Sequence, residues 1–203
     1  MKDPIFYKIV RPIITGLFRF VYKPTYIGLE NIPKNQSLVI AGNHTNNLDC
    51  LLLISSTKRC IHFMGKHTLF KGIKKYLFTS MGVIPVNRTI KDKNCMIEAR
   101  KVLNNNLVIG IFPEGTINRT NDIIMPFKMG AVKACSKTNS VLVPFIITGK
   151  YKLFRKSICL EFLKPMKIGD DLEKENKKFM DKVSKKLIEG GSTNGTKRKN
   201  ASI

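Results

Sequence analysis

The chain is poor in acid and has no tryptophan. Only 14 Asp and Glu stand against 36 Lys and Arg in 203 residues, a formal net charge of +22. That imbalance points toward polyanionic partners: nucleic acid, an anionic membrane surface or an acidic carrier protein. The shortage is uneven, because residues 170–189 hold six acids and six bases and the rest carries the whole excess. Long apolar runs are missing too. None approaches the 18 residues that a spanning helix needs. The N-terminus lacks the compact apolar core and small-residue cleavage site of a signal peptide, so none is expected. The five cysteines (50, 60, 95, 135 and 159) are odd in number and form no C-x-x-C pair. They argue for a reducing compartment and against a disulfide frame or zinc site. Internal repeats are absent, and the length suits one domain with a real core.

What is present divides the chain into three. Residues 1–24 are a basic amphipathic helix. Phe6, Ile9, Val10, Ile13, Ile14, Leu17, Phe18 and Val21 recur at three- and four-residue spacing, with Lys8, Arg11, Thr15, Arg19 and Tyr22 on the other side. That pattern suits a helix lying in a membrane interface or one packed on its own domain. Residues 25–189 alternate apolar runs with helical periodicity, which predicts an α/β fold, a mixed sheet flanked by helices. Strands are expected at 37–41, 60–64, 83–86, 107–112, 141–147 and 157–163. Helices are expected after Asp49, over 66–80, from an Asp92 cap to Leu103, over 128–138 and over 171–189. Gly190-Gly191 is expected to end the last helix and leave 190–203 as a disordered basic tail.

The segment Asn43-His44-Thr45-Asn46-Asn47-Leu48-Asp49 joins a buried strand to a helix, where open α/β sheets keep their sites. Five helical steps would leave His44 and Asp49 roughly 140° apart, so they can meet only if His44 sits in the turn and Asp49 in the first helical turn. A carboxylate on one imidazole nitrogen makes the other a general base for a hydroxyl proton. A single His–Asp pair is more often a structural hydrogen bond.

Three further segments also end strands: Gly82-Val83-Ile84-Pro85-Val86-Asn87-Arg88, Phe112-Pro113-Glu114-Gly115-Thr116 and Val143-Pro144-Phe145. With these four blocks in order, residues 25–165 closely resemble the glycerolipid acyltransferase family, in particular its bacterial 1-acylglycerol-3-phosphate acyltransferases. Phe127-Lys128-x-Gly130-Ala131 adds a weaker match. The resemblance implies transfer of a fatty acyl group from a thioester to lysophosphatidic acid, with His44 and Asp49 catalytic. It implies neither a covalent enzyme intermediate nor a metal or other cofactor; acyl-CoA or acyl carrier protein would serve as the donor substrate. Arg88 and Lys66 would bind the acceptor phosphate, Arg88 by the planar fork that suits bidentate contact. Glu114, Gly115, Thr116 and Arg119 would form the acceptor block, Glu114 either by touching an acceptor hydroxyl or by bracing the loop. Two departures stand out. The family continues that block with Arg-Ser-Arg, whereas this chain has Ile117-Asn118-Arg119; and Thr68 and Ile73 replace an acidic residue and a proline. His62 and His67 match no motif.

The implied partners are an anionic membrane surface, lysophosphatidic acid and the acyl donor. The implied location is the cytoplasmic face of the cell membrane, peripheral or monotopic. Other readings are the same chemistry on glycerol-3-phosphate or another lysophospholipid, a catalytically dead lipid-binding relative, and a nucleic-acid-binding protein. The net charge suits the last, but no nucleic-acid module is recognisable and no aromatics interleave a basic stripe.

Overall fold

In the computed structural model, which describes residues 2–87, 89–90 and 92–199, the chain forms a seven-stranded sheet between two layers of helices. The elements are α1 (Ile5–Tyr22), β1 (Thr25–Ile27), β2 (Leu38–Gly42), α2 (Asp49–Ser56), β3 (Ile61–Lys66), α3 (Ile73–Ser80), β4 (Ile84–Val86), α4 (Lys93–Asn104), β5 (Val108–Ile111), α5 (Gly130–Ser136), β6 (Val141–Gly149), β7 (Ile158–Phe162) and α6 (Leu172–Lys199). The strand order is β1-β7-β6-β2-β5-β3-β4. Only β6 and β7 pair antiparallel, so the sheet is mixed, as expected. β2 lies at its centre, with Leu38 opposite Val108 of β5 and Val141 of β6.

The apolar run of β2 is buried on both faces, as parallel strands covered by helices must be. Alternation sends Val39 and Ala41 to one side, into a core with Ala99, Val102 and Leu103 of α4, Ala131 and Ala134 of α5, and Phe179 and Val183 of α6. Leu38 and Ile40 face the other side, with Leu52 and Leu53 of α2 and Tyr7 and Phe18 of α1. The first helix is therefore part of the domain on one face. Its other face remains exposed.

One strand is additional to those expected, and two local expectations are corrected. Thr25–Ile27 is a strand that pairs with β7; three residues are too few to show periodicity. The stretch 66–80 is not one helix: β3 extends to Lys66, a 3-10 turn follows at His67–Leu69, and α3 begins only at Ile73. Gly72 at φ +54°, outside the helical region, separates them. The last helix does not end at Gly190-Gly191 but continues to Lys199. Glycine inside a helix costs about 1 kcal/mol, which weakens the helix without stopping it.

Candidate active site

The site is built at the C-terminal end of the parallel strands, beginning where β2 stops. Gly42 lies so close to β6 that a Cβ there would come within 2.1 Å of the Phe145 carbonyl oxygen. Asn43 then uses its side chain as a further rung of the ladder: Nδ2 donates to the Ile147 carbonyl (2.9 Å) and Oδ1 accepts the Ile147 N–H (2.8 Å). These contacts fix the chain just before His44. The histidine's own backbone is held at both ends, its N–H by Glu114 Oε1 (2.8 Å) and its carbonyl by the Asn118 N–H (2.9 Å).

Asp49 is the first residue of α2 and is fully buried. Its Oδ2 accepts the N–H groups of Thr45 (2.6 Å) and Asn46 (2.9 Å), so the turn closes on the carboxylate. The same oxygen lies 2.9 Å from His44 Nδ1. An oxygen already accepting two N–H bonds is the acceptor here too, so Nδ1 carries the proton and Nε2 keeps a lone pair. Oδ1 accepts from Thr45 Oγ1 (3.1 Å) and, at 2.6 Å, from Tyr151 Oη. Five donors thus compensate a buried carboxylate, which is costly to bury otherwise. Burial and the facing Asp49 carboxylate push the Tyr151 phenol up from its ordinary value, so it stays a donor. The imidazole stacks on Phe112 at 3.9 Å between centroids and 17° between planes. An aromatic face beside the ring also favours an imidazolium there. The side chain of His44 is 16% exposed, which leaves a route to it from outside.

The loop after β5 braces this turn. Glu114 is buried, and both of its oxygens go to backbone, Oε1 to His44 and Oε2 to the Met125 N–H (2.8 Å). Of its two anticipated roles the geometry displays the bracing one. Burial, foremost, raises its pKa above the ordinary carboxylate value, against the lowering effect of those two N–H donors. Gly115 sits at φ +76°, a left-handed conformation that favours glycine, and the end of the Lys128 side chain lies where a Cβ on it would point. Lys128, from the weaker sequence match, therefore lies over this block. Thr116 and Arg119 are exposed on the same loop, and Lys66 is exposed at the end of β3, also on this edge of the sheet.

Arg88 lies outside the described residues. The segment before it is anchored by Asp92, whose Oδ2 accepts the Asn87 N–H (2.8 Å) while Oδ1 caps α4 through the Asn94 and Cys95 N–H groups. The Asn87 N–H, then those of Cys95 and Asn94, lower the Asp92 pKa against a burial effect that raises it. Asp92→Ala should cost about 1 kcal/mol, a fall of about 2–4 °C in Tm. Because the folded value is depressed, the charge-dependent stabilisation is fully present above the ordinary value of 3.8 and is lost as pH falls through the folded one. Thermal melts of both proteins across acidic pH check this, since the gap between them should narrow toward low pH.

One group among the described residues could present three metal-ligand atoms, Asp3, Cys60 and His62, within 4.8 Å of one another. It lies at the start of β3, at the opposite edge from His44. Lys8, Arg11 and Lys58 line the adjoining cavity, and their charge opposes a divalent cation there.

Sequence reasoning reached His44, Asp49 and the 112–116 loop but not Tyr151, which is 102 positions from Asp49 and in no recognised block. Residues 23–148 match the family model described as Acyltransferase. The chain is 36% identical over 134 residues to a 1-acyl-sn-glycerol-3-phosphate acyltransferase of Borreliella burgdorferi, covering 64% of this chain and 53% of that protein. It is 32% identical over 133 residues to the protein of the same name from Bacillus subtilis, covering 63% and 65%. The matched region thus spans between half and two thirds of these relatives' length. In fold it is similar to the crystal structure of the 1-acyl-sn-glycerophosphate (LPA) acyltransferase PlsC from Thermotoga maritima. That match has a TM-score of 0.71 and 21% identity over 91% of this chain and 77% of the other. The chain belongs to the acyltransferase family.

Proposed function

We propose that the chain transfers a fatty acyl group from an acyl thioester to the free 2-hydroxyl of 1-acylglycerol-3-phosphate, giving phosphatidic acid. The observation that carries this reading is the His44–Asp49 pair, because its geometry leaves Nε2 as a base on an accessible ring. Nε2 takes the hydroxyl proton as that oxygen attacks the thioester carbonyl. The tetrahedral intermediate collapses with loss of the thiolate, which recovers the proton from the imidazolium. Asp49 holds the tautomer and offsets the positive charge. No acyl-enzyme forms, and the reaction so written uses no metal or other cofactor. Arg88 and Lys66 bind the acceptor phosphate; Gly115, Thr116 and Arg119 line the acceptor side, with Glu114 as their brace. The printed names of the relatives support the same acceptor. The donor is acyl-CoA or acyl carrier protein, both of which suit a chain of net charge +22.

A second reading keeps the chemistry and changes the acceptor to glycerol-3-phosphate or another lysophospholipid. It is favoured by Ile117-Asn118-Arg119, which departs from the family's continuation of the acceptor block. An acyl-transfer assay crossing both donors with lysophosphatidic acid, glycerol-3-phosphate and other lysophospholipids separates the two. Phosphatidic acid should be the main product. Turnover on glycerol-3-phosphate alone favours the second reading, and no turnover with any pair sinks both.

The reading includes a peripheral or monotopic seat on the cytoplasmic face of the cell membrane, with residues 1–24 as the contact. Ile5, Ile9, Ile13, Leu17 and Phe20 form one stripe along α1 and are each 61–76% exposed. Ile73 and Tyr76 of α3 are similarly exposed. Among the described residues no helix is long and apolar enough to cross a membrane. Since Tyr7 and Phe18 are core residues, the test is substitution, not deletion. Replacing Ile9, Ile13 and Leu17 with Gln should weaken sedimentation with anionic vesicles by about 100-fold, if each contributes about 1 kcal/mol. Unchanged binding would place the contact elsewhere, with α3 the next candidate.

A further inference from the structure

Among the described residues, the Tyr151 hydroxyl is the one hydrogen-bond partner of Asp49 from far along the chain, 102 positions away. β6 carries the chain to the edge where His44 lies, and Tyr151 follows it by two residues. The residues after β6 are held by two further contacts with their neighbours. Lys150 N–H donates to the Ser157 carbonyl (2.8 Å), and Ser157 Oγ donates to the Lys150 carbonyl (2.8 Å). The ring of Tyr151 packs edge-on against a contacting pair of aromatics of α1, at 5.6 Å from Tyr22 and 6.3 Å from Phe18. α1 holds the same loop again through the Phe154 N–H, which donates to the Val21 carbonyl (2.5 Å), and through Phe20 against Phe154. The ring therefore has little freedom, and its hydroxyl is aimed at Asp49 Oδ1.

We infer that Tyr151 is a positioning residue for the His44–Asp49 pair and that it ties the pair to α1. Oδ2 takes the turn and the imidazole, and what holds Oδ1 is the second anchor that fixes the rotation of the carboxylate about its own axis. Thr45 Oγ1 reaches Oδ1 at 3.1 Å and also lies 3.4 Å from Oδ2, so it does not distinguish the two oxygens well. Tyr151, at 2.6 Å, does. The consequence for the imidazole is direct, because the oxygen that orients it cannot rotate without breaking the tyrosine bond. The helix that carries the exposed apolar stripe is thus one aromatic ring and one hydrogen bond from the base. This inference rests on the acyltransferase reading for its catalytic half but not for its geometric half.

The test is Tyr151→Phe, which removes the hydroxyl and keeps the ring against Phe18 and Tyr22. With lysophosphatidic acid and acyl-CoA or acyl carrier protein, kcat should fall about tenfold, the rate equivalent of losing one hydrogen bond to a charged group. KM for both substrates and vesicle binding should not change, since only an interaction realised in the transition state is weakened. Among the described residues, the titratable groups facing the pair are Glu114 from the loop after β5 and Cys50 of α2, with Tyr26 of β1 facing Tyr151, and the variant leaves all three in place. A carboxylate stripped of one donor holds the imidazolium more strongly, so the acidic limb of kcat/KM should move to higher pH. Tyr22→Leu should lower kcat in the parent and add little on top of Tyr151→Phe, because it acts through that hydroxyl.

A second readout does not need turnover. The chain has three histidines, so the His44 Nδ1 proton can be assigned by NMR, and its resonance should shift in Tyr151→Phe. An unchanged resonance overturns the inference, as does unchanged kcat in an active parent. A fall in kcat with an unmoved pH limb, or one that merely tracks a lower Tm, marks the tyrosine as packing and also overturns it. A parent inactive with every donor and acceptor overturns the functional reading instead, and the resonance still decides the geometry.

Discussion

His44→Ala should reduce acyl transfer by roughly 10²–10⁴-fold, the contribution of a positioned general base, while the protein stays folded. The second half of that expectation is specific to this structure. The N–H and carbonyl of His44 are held by Glu114 and Asn118, and alanine keeps both bonds. The neighbouring Asn43 completes the β2–β6 ladder with its own side chain and does not depend on the imidazole. What is lost is a partly exposed ring stacked on Phe112 and one donor to a carboxylate that has four others. The Tm should therefore move by no more than about 4 °C, equivalent to about 1 kcal/mol for a chain of this size. Initial rates with the best donor–acceptor pair and a thermal melt decide it together. A folded variant with near-parental turnover would remove the general-base assignment.

Asp49→Ala should damage both properties at once, because the same carboxylate closes the turn and orients the imidazole. Without it, the Thr45 and Asn46 N–H groups and His44 Nδ1 lose the acceptor they share, a carboxylate that is itself fully buried. At about 1–3 kcal/mol for each buried donor left unsatisfied, and with some rescue by water, a loss of about 2–4 kcal/mol is expected. Activity should fall as far as in His44→Ala. Asp49→Asn separates the two roles. The donors at Oδ2 are two backbone N–H groups and the imidazole, and an amide oxygen can serve all three. Those at Oδ1 are the hydroxyls of Thr45 and Tyr151, which can turn and accept from an amide NH₂. Asn should restore most of the Tm but little of the activity, since it carries no charge to offset the imidazolium. Full recovery of turnover in Asp49→Asn would mean that orientation alone is what Asp49 supplies.

Much of this was legible in the chain. The apolar runs of β2, β5 and β6 and the Asp92 cap of α4 are local signals, and so is the turn that lets His44 meet Asp49. Each depends on residues within a few positions, where periodicity and turn chemistry act directly. The short β1, the break at Gly72 and the continuation of α6 past Gly190 were not legible. A three-residue strand exists only because β7 is beside it, and a single glycine can be tolerated or decisive according to its φ. The 1–24 segment reads as a membrane helix or a packed one from its pattern. In the structure α1 packs through Tyr7 and Phe18 and exposes a stripe opposite them, because an apolar arc this wide exceeds what α2 can cover.

The turn the chain needs for a His–Asp pair, and the ordered strand-end blocks that give it a family, were determined by sequence alone, because spacing within a turn is a matter of local geometry. Which groups hold that pair was decided only by the tertiary structure. Glu114 reaches His44 across 70 positions, Tyr151 reaches Asp49 across 102, and Asn43 reaches Ile147 across 104. Those bonds exist because β2, β5 and β6 are hydrogen-bonded neighbours in the sheet, an adjacency that no local pattern encodes.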